Sequence, residues 1–295
     1  MHSISNQTKA YIAHSHGFFG KNISIAYLDT GVFMHPDFIT PKCRILDFVD
    51  FVSNRSSPYD DNGHGTHICG ISASNSLGIA PQSNIIMVKV LDYSGNGSKD
   101  TFIKGLEWID KNRKKYEIRI VNISIGMPSN FTDEDLDPLI QKVEQLWDHG
   151  MIVCIASGNN GPGKYSISSP GISRKVITVG SSNDAVAAIN SVSYTPNYSS
   201  RGPTHSCVMK PDVVAPGTNI PSCSHKKGFS IKSGTSMATP IVSGAMALLL
   251  ERYPDYTNKA AKLKLRSSCD KLPTSRFHQG WGQINIQKLL DLEKY

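Results

Sequence analysis

Three segments of this 295-residue chain carry the side chains that acyl-transfer chemistry needs. Asp29 ends an apolar run, His64 stands among small residues three positions before His67, and Ser236 follows a tight Gly-Thr turn. A serine hydroxyl is a weak nucleophile until an imidazole removes its proton, and that imidazole needs a carboxylate to fix its tautomer and stabilise its charge. Together the segments predict a catalytic triad of Asp29, His64 and Ser236.

The triad residues occur in the order Asp, His, Ser, with spacings of 35 and 172 residues. This order differs from those of chymotrypsin-like and α/β-hydrolase enzymes. The surrounding sequences, Asp-Thr-Gly at 29–31, His-Gly-Thr-His at 64–67 and Gly-Thr-Ser-Met-Ala-Thr-Pro at 234–240, resemble the signature motifs of the subtilisin-like serine peptidases, or subtilases. Further similar segments extend the resemblance over about residues 22 to 290, at 35–37, 78–81, 199–203, 211–217 and 280–282.

The resemblance implies a serine endopeptidase that hydrolyses peptide bonds through an acyl-enzyme. It gives Ser236 the role of nucleophile, His64 that of general base and then acid, and Asp29 that of the buried partner of His64. Asn159, in the segment 156–161, aligns with the asparagine that donates to the oxyanion in this family. Ser236 also begins a predicted helix, whose unpaired N–H groups and dipole favour negative charge.

The resemblance also implies an extended peptide substrate, held between two backbone segments as an added strand. These segments and the walls of the pocket for the residue before the scissile bond (P1) are predicted at Gly95, Asn96, Gly97, Ser124, Ile125, Gly126, Ala156, Ser157, Gly158 and Ser168. None of these residues is a carboxylate, so we predict an uncharged P1 residue of medium to large size. Asp92 is the acidic residue nearest the upstream subsites and suggests a basic residue further along the peptide.

The pattern of apolar runs predicts an α/β fold, doubly wound, with a mostly parallel central sheet and helices on both faces. We expect a single peptidase domain over residues 22–295, preceded by an N-terminal extension at 1–21. The predicted strands are 23–28, 85–91, 118–125, 151–156 and 176–180, and the predicted helices are 101–115 and 132–149.

Composition excludes several classes of protein. The net charge of +7 is modest and scattered, and the basic cluster at 111–115 lacks interleaved aromatics, so we expect no nucleic-acid partner. The longest apolar run, 241–250, is about half the length that crosses a bilayer. The six cysteines show no C-x-x-C spacing and no secretory signal precedes them, which favours free thiols and a cytoplasmic location. The oligomeric state stays open.

We predict no required cofactor and no metal ligands. Many subtilisins bind calcium in a loop after the histidine-bearing helix, but here only residues 74–77 remain for it. Asp37 matches one ligand, whereas calcium needs six to eight oxygens, so we expect no tight calcium site and at most weak binding. Only 28 residues precede Asp29, too few for a long inhibitory prodomain. This favours an intracellular form, the alternative being a secreted form from which signal and prodomain were removed.

Protein or peptide substrates are the expected partners, and three alternatives to a general endopeptidase stay open. The first is a pseudoprotease that uses the cleft only to bind peptides. The second is an esterase or transacylase, because other nucleophiles can intercept the same acyl-enzyme. The third is a dedicated maturation protease that cuts one partner.

Overall fold

The computed structural model describes residues 4–126, 137–189 and 196–293. Its strands are β1 Ser24–Asp29, β2 Ile45–Asp50, β3 Asn84–Lys89, β4 Ile118–Ile123, β5 Ile152–Ala156, β6 Ile177–Ser181, β7 Val213–Ala215, β8 Ile220–Cys223 and β9 Phe229–Lys232. Its helices are α1 Ile4–Thr8, α2 Ala10–Ser15, α3 Pro36–Ile39, α4 His64–Ala73, α5 Lys99–Asn112, α6 Pro138–Asp148, α7 Thr235–Arg252, α8 Asn258–Ser268, α9 Arg276–Gln279 and α10 Ile286–Leu289.

Seven strands form one parallel sheet in the order β2-β3-β1-β4-β5-β6-β7. Successive side chains of β1 enter two separate cores: Ile25 and Tyr27 join one, and Ala26 and Leu28 join the other. Helices α4 and α7 supply the first core, and α5 and α6 supply the second. Helices therefore cover both faces of the sheet, and the predicted doubly wound α/β fold is confirmed.

The five predicted strands correspond to β1, β3, β4, β5 and β6, with ends that differ by no more than two residues. The sequence did not predict the two edge strands. Strand β2 is only partly buried and contains two aspartates, and β7 has three residues, so neither shows a continuous apolar run. The predicted helix 101–115 corresponds to α5. The predicted helix 132–149 corresponds to α6 from Pro138 onward, while 132–136 lie outside the described residues.

Residues 4–20 pack against the C-terminal end of α7, the end opposite Ser236. Ala10, Ile12 and Ala13 lie in the same core as α7, and the N–H groups of Phe19 and Gly20 donate to Glu251 Oε2 at 2.7 and 2.6 Å. Glu251 follows Ser236 by 15 residues in this helix, a rise of about 22 Å. The described part of the N-terminal segment thus shares the domain's core.

Two further predictions concern the cysteines and membrane-spanning segments. All six cysteines are free thiols, and Cys69, Cys154 and Cys223 are buried. Within the described ranges, every helix is too short or too polar to cross a membrane.

Candidate active site

Asp29 and His64 meet at the carboxyl edge of the sheet. Asp29 is the last residue of the interior strand β1, and His64 is the first residue of α4. His64 Nδ1 lies 2.7 Å from Asp29 Oδ1. The Asp29 side chain is fully buried, whereas 23% of the His64 side chain is exposed. A buried carboxylate thus orients an imidazole whose other ring edge reaches solvent.

Close approach of α4 to β1 depends on a glycine. A Cβ at position 65 would lie 2.1 Å from the carbonyl oxygen of Gly31 and 3.1 Å from Asp29 Oδ1. Asp29 Oδ1 also accepts a hydrogen bond from the Thr30 N–H at 2.7 Å. Its second oxygen, Oδ2, is buried and has no hydrogen-bond donor among the described residues. The carboxylate is therefore held through one oxygen.

Asp60 organises the start of α4, and the sequence analysis missed it. Its two oxygens accept five hydrogen bonds, from the Thr30 hydroxyl, from the N–H groups of Asn62, Gly63 and Thr66, and from the Thr66 hydroxyl. A carboxylate at a helix N-terminus pairs with the unsatisfied N–H groups there. Its place two residues before the Asn-Gly-His segment at 62–64 was the available signal in the sequence.

Ser236 is the second residue of α7, and its main chain is fixed from two sides. A helical carbonyl usually accepts from the N–H four residues later, but here that residue is Pro240, which has no N–H. The Ser124 hydroxyl instead donates to the Ser236 carbonyl oxygen at 3.0 Å. Ser124 Oγ in turn accepts from Asn122 Nδ2 at 2.9 Å. This predicted substrate-binding residue therefore also positions Ser236.

Asn159 lies beside the start of α7. Its Oδ1 accepts hydrogen bonds from the Thr235 N–H at 2.9 Å and from the Thr235 hydroxyl at 3.0 Å. These bonds orient the amide so that Nδ2 has no acceptor among the described residues and lies near Gly234, where a Cβ would be 3.4 Å away. The amide can donate to a negative charge that develops next to Ser236.

The predicted pocket residues meet around Ser168. A Cβ at Gly126 would lie 2.6 Å from Ser168 Cβ, and one at Gly158 would lie 2.3 Å from Ser168 Oγ. The Ser168 N–H donates to the Ser157 carbonyl oxygen at 2.9 Å, and Ala156 ends β5 just before it. These residues form one continuous wall.

The segments 95–97 and 124–126 follow β3 and β4. Gly95 has a φ of +84°, and Asn96 and Gly97 are exposed, while Ile125 is half-buried. Asp92 Oδ1 accepts from the Ser94 hydroxyl at 2.7 Å and from the Asn96 N–H at 2.9 Å. These hydrogen bonds lower the pKa of Asp92. The carboxylate thus holds its own turn, which weakens its predicted role toward a basic substrate residue.

One group of side chains has the composition of a metal site: His35, Asp37 and Cys223, whose ligand atoms lie within 4.8 Å of one another. His35 Nδ1 already accepts from the Asp37 N–H at 3.2 Å, and its Nε2 donates to the Gly228 carbonyl oxygen at 2.9 Å. Burial raises the pKa of Cys223 to about 12, so its sulfur is a neutral thiol. These donors do not fit a metal ion.

The calcium ligands that the resemblance implies also fit poorly. The Arg44 guanidinium donates from Nη2 to the Asp37 carbonyl oxygen at 2.5 Å and to Asn75 Oδ1 at 2.9 Å. Asp37 Oδ2 accepts from the Ser76 N–H at 2.9 Å. A cationic side chain thus binds the Asp37 main-chain carbonyl oxygen and the Asn75 amide oxygen beside the predicted loop, and it would repel a calcium ion there.

His67 lies one turn into α4 and is buried in the neutral form. Its Nε2 donates to the Ser230 carbonyl oxygen at 3.2 Å, and its Nδ1 is buried and unpaired among the described residues. Burial, the nearby Lys232 charge and His64 lower the pKa of His67 to about 3. The sequence analysis assigned no role to His67. The structure shows that its side chain packs from α4 toward β9.

We expect acid to destabilise the fold through His67. An unfolded histidine binds a proton below about pH 6.5. Folded His67 stays neutral down to about pH 3, so between these values the unfolded state binds more protons and the free energy of unfolding falls as pH decreases. From pH 6.5 to 4 this amounts to at most about 3 kcal/mol. Urea unfolding at pH 7 and pH 4, in a Ser236→Ala background that prevents autolysis, measures it.

His67→Gln keeps a donor for Ser230 and cannot become charged. It should lose less of its free energy of unfolding between the two pH values than the parent. The matched control is His205→Gln, a change of an exposed histidine that should leave the loss unchanged. Equal losses in the parent and in His67→Gln would contradict the assignment.

Comparison with known proteins agrees with this geometry. Residues 20–282 match the Subtilase family, Peptidase_S8. The chain is 38% identical over 292 residues to serine protease AprX of Bacillus subtilis strain 168, covering 90% of this chain and 65% of AprX. It is 36% identical over 288 residues to subtilisin of Bacillus pumilus, covering 96% of each.

A solved structure described as a cold adapted subtilisin-like serine proteinase superposes with a TM-score of 0.75 at 29% identity. The superposition covers 91% of this chain and 90% of the chain of that structure. The chain therefore spans slightly less than two thirds of AprX and nearly all of the Bacillus pumilus subtilisin and of this structural neighbour. The resemblance inferred from the motifs is confirmed: this chain belongs to the subtilase family of serine-type endopeptidases.

Proposed function

We propose that this chain hydrolyses peptide bonds through an acyl-enzyme, with Ser236 as nucleophile, His64 as general base and Asp29 as its charge partner. The observation that carries the proposal is the 2.7 Å hydrogen bond between the fully buried Asp29 carboxylate and His64 Nδ1. Such a carboxylate fixes the tautomer in which Nε2 can accept a proton, and it stabilises the imidazolium that results.

The reaction has two halves. Ser236 Oγ attacks the scissile carbonyl carbon while His64 takes the hydroxyl proton, and the carbonyl oxygen becomes an oxyanion that accepts from Asn159 Nδ2. Collapse of this intermediate breaks the C–N bond, and His64 gives its proton to the departing amine. A water molecule then attacks the acyl-enzyme with His64 again as base. As the bond to Ser236 Oγ breaks, His64 returns this proton to Oγ and the carboxylic acid product leaves.

Replacing Asn159 by alanine should lower kcat about 10²–10³-fold with a small change in KM, a magnitude that comes from subtilisin itself. The amide contributes mainly when the oxyanion forms, so it acts on the transition state more than on bound substrate. Initial rates on a fluorogenic peptide separate kcat from KM. Asn112→Ala on α5, away from the sheet's carboxyl edge, is the control. If Asn159→Ala instead raised KM by a similar factor and left kcat unchanged, Asn159 would be a substrate-binding residue.

Fluorophosphonate labelling followed by intact mass measurement tests the proposal. An activated serine displaces the leaving group of the reagent, so wild type should gain one adduct and Ser236→Ala none. A folded wild type that gains no adduct would favour the pseudoprotease alternative. Rates on matched amide and ester substrates distinguish a peptidase from an esterase or transacylase, which would cleave the ester alone.

We propose an uncharged P1 residue for the same cleft. The support is the contact of Ser168 with Gly126 and Gly158, which builds the predicted wall from small side chains without a carboxylate. Peptides that vary only at P1 check this, and a preference for Lys or Arg would contradict it. A cytoplasmic location is a further proposal, supported by the six free thiols.

We also propose that activity and stability require no tightly bound calcium, because the Arg44 cation already binds the Asp37 main-chain carbonyl oxygen and the Asn75 amide oxygen. The melting temperature should therefore agree within about 2 °C between excess EDTA and millimolar calcium, a shift that corresponds to less than about 1 kcal/mol. Differential scanning fluorimetry of the Ser236→Ala protein measures this. A calcium-dependent rise of 10 °C or more would overturn the proposal.

A further inference from the structure

The hairpin formed by β8 and β9 is basic and free of acidic residues. Its two strands pair antiparallel, from Ile220 opposite Lys232 to Cys223 opposite Phe229. Lys226 and Lys227 are exposed at its turn, and Lys232 ends β9 four residues before Ser236. No aspartate or glutamate occurs between positions 212 and 251 of the sequence. The hairpin therefore places positive charge, with no acidic residue of its own, next to the start of α7.

The hairpin lies on the His64 side of the cleft. Ser222 Oγ donates to the His67 carbonyl oxygen at 2.7 Å, which ties β8 to α4. At the turn, the His225 ring lies over the residue before His64, because a Cβ at Gly63 would be 1.9 Å from His225 Nδ1. Since a general acid at His64 must reach the departing amine, the substrate residues after the scissile bond leave on this side. The hairpin flanks the leaving-group half of the cleft.

The other half of the cleft is built from different elements. Segment 124–126 follows β4, and Gly158 and Asn159 follow β5, which neighbours β4 in the sheet. Ser168 closes the wall between Gly126 and Gly158. Residues before the scissile bond are predicted to lie there, so the charge of the hairpin concerns the opposite end of the substrate.

Lys232 is half-buried and unpaired. Among residues 4–126, 137–189 and 196–293, neither a hydrogen-bond acceptor nor a carboxylate within 4.0 Å contacts its ammonium. Burial lowers its pKa, while the charges of Asp60 and Asp29 act on it from a distance and raise the pKa. Asp60 uses both oxygens for α4 and Thr30, and Asp29 Oδ1 is bonded to His64 and Thr30. A partly desolvated cation without a partner gains most from a carboxylate that arrives with a ligand.

We propose that Lys232 forms a subsite on the leaving-group side that binds the carboxylate of an Asp or Glu at one of the first two substrate residues after the scissile bond. Lys226 and Lys227 extend the same positive field toward solvent. The subsite deepens the proposed endopeptidase function and rests on it. Its ligand is an acidic peptide side chain.

Internally quenched peptides with a constant uncharged half before the scissile bond test the subsite. Glu, Gln or Lys is placed at the first or second position after that bond, and kcat/KM is measured at low salt. Wild type should prefer Glu to Gln by about 5–10-fold at one position and should disfavour Lys, as expected for one ion pair near a protein surface. The preference should shrink in 0.5 M NaCl because salt screens exposed charges.

Variants assign the effect to one residue. Lys232→Met keeps the length and apolar character of the lysine side chain below its ammonium. In this variant, the ratio of kcat/KM for the Glu peptide to that for the Gln peptide should fall to about one. In Lys232→Glu the order should reverse, with Lys preferred to Glu. Lys114→Gln, a change of an exposed lysine two residues after the end of α5, is the control and should keep the wild-type ratio.

The outcomes separate this subsite from the proposed function. Cleavage of the Glu and Gln peptides at equal rates by wild type would overturn the subsite and leave the endopeptidase in place. A Glu preference that persists in Lys232→Met would overturn the role of Lys232. Failure to cleave any of the peptides, together with failure to react with a fluorophosphonate, would overturn the endopeptidase and the subsite with it.

Discussion

Ser236→Ala is expected to lower kcat on a peptide substrate about 10⁶-fold, a magnitude that comes from subtilisin itself. The hydroxyl forms the bond to the acyl group, and the methyl group that replaces it cannot do so. Residual hydrolysis then depends on water attack in the oxyanion site alone. Rates are measured on a fluorogenic amide, with circular dichroism to show that the variant is folded.

His64→Ala should cost nearly as much, and the double variant little more than either single one. The two residues act on one proton transfer, so their effects do not add. Ser267→Ala, a change of an exposed serine on α8 at a distance from the cleft, is the matched control. If Ser236→Ala kept more than about 1% of the wild-type kcat, another group would have to be the nucleophile.

Asp29→Asn should lower kcat about 10⁴-fold while keeping the fold. The amide oxygen can take the place of Oδ1 and accept from the Thr30 N–H and His64 Nδ1, so the imidazole stays in position. The negative charge is lost, and a buried neutral amide stabilises an imidazolium far less than a carboxylate does. The new NH₂ group would be buried at the position of Oδ2, which has no hydrogen-bond partner among the described residues, and burying it unpaired should cost about 1–3 kcal/mol of stability.

Steady-state kinetics and urea unfolding separate these two effects of Asp29→Asn. KM should change little, because Asp29 is buried behind His64 and does not line the cleft. The control is Asp47→Asn on the edge strand β2, which should leave kcat near the wild-type value. A tenfold or smaller loss of kcat in Asp29→Asn would show that His64 works without the buried charge.

The sequence predicted the central strands well because both faces of a parallel sheet are buried, which leaves continuous apolar runs. It missed β2, whose edge position leaves aspartates among its apolar residues, and the hairpin β8–β9, whose strands are only four residues long. Short or partly exposed strands carry too few apolar residues to stand out from loops.

The candidate site likewise contains residues that the sequence predicted and residues that only the structure revealed. The motifs around Asp29, His64 and Ser236 named the side chains that we propose to react, since their chemistry depends on residue type and order. The structure added Asp60, whose five hydrogen bonds fix the start of α4, and the donation from Ser124 to the carbonyl that Pro240 leaves unpaired. Ser124 lies 112 residues before Ser236, so only folding could show this pairing.

By itself, the sequence determined the family and the fold class and named the residues proposed to react, because hydrophobic period and motif chemistry are local properties of the chain. Tertiary structure alone decided three features of the described residues. Arg44 binds the Asp37 main-chain carbonyl and the Asn75 amide oxygen, His67 is buried neutral, and Lys232 stands unpaired within the field of Asp60 and Asp29. Each depends on burial and on which distant groups come within a few ångströms, and these follow from packing of the whole domain.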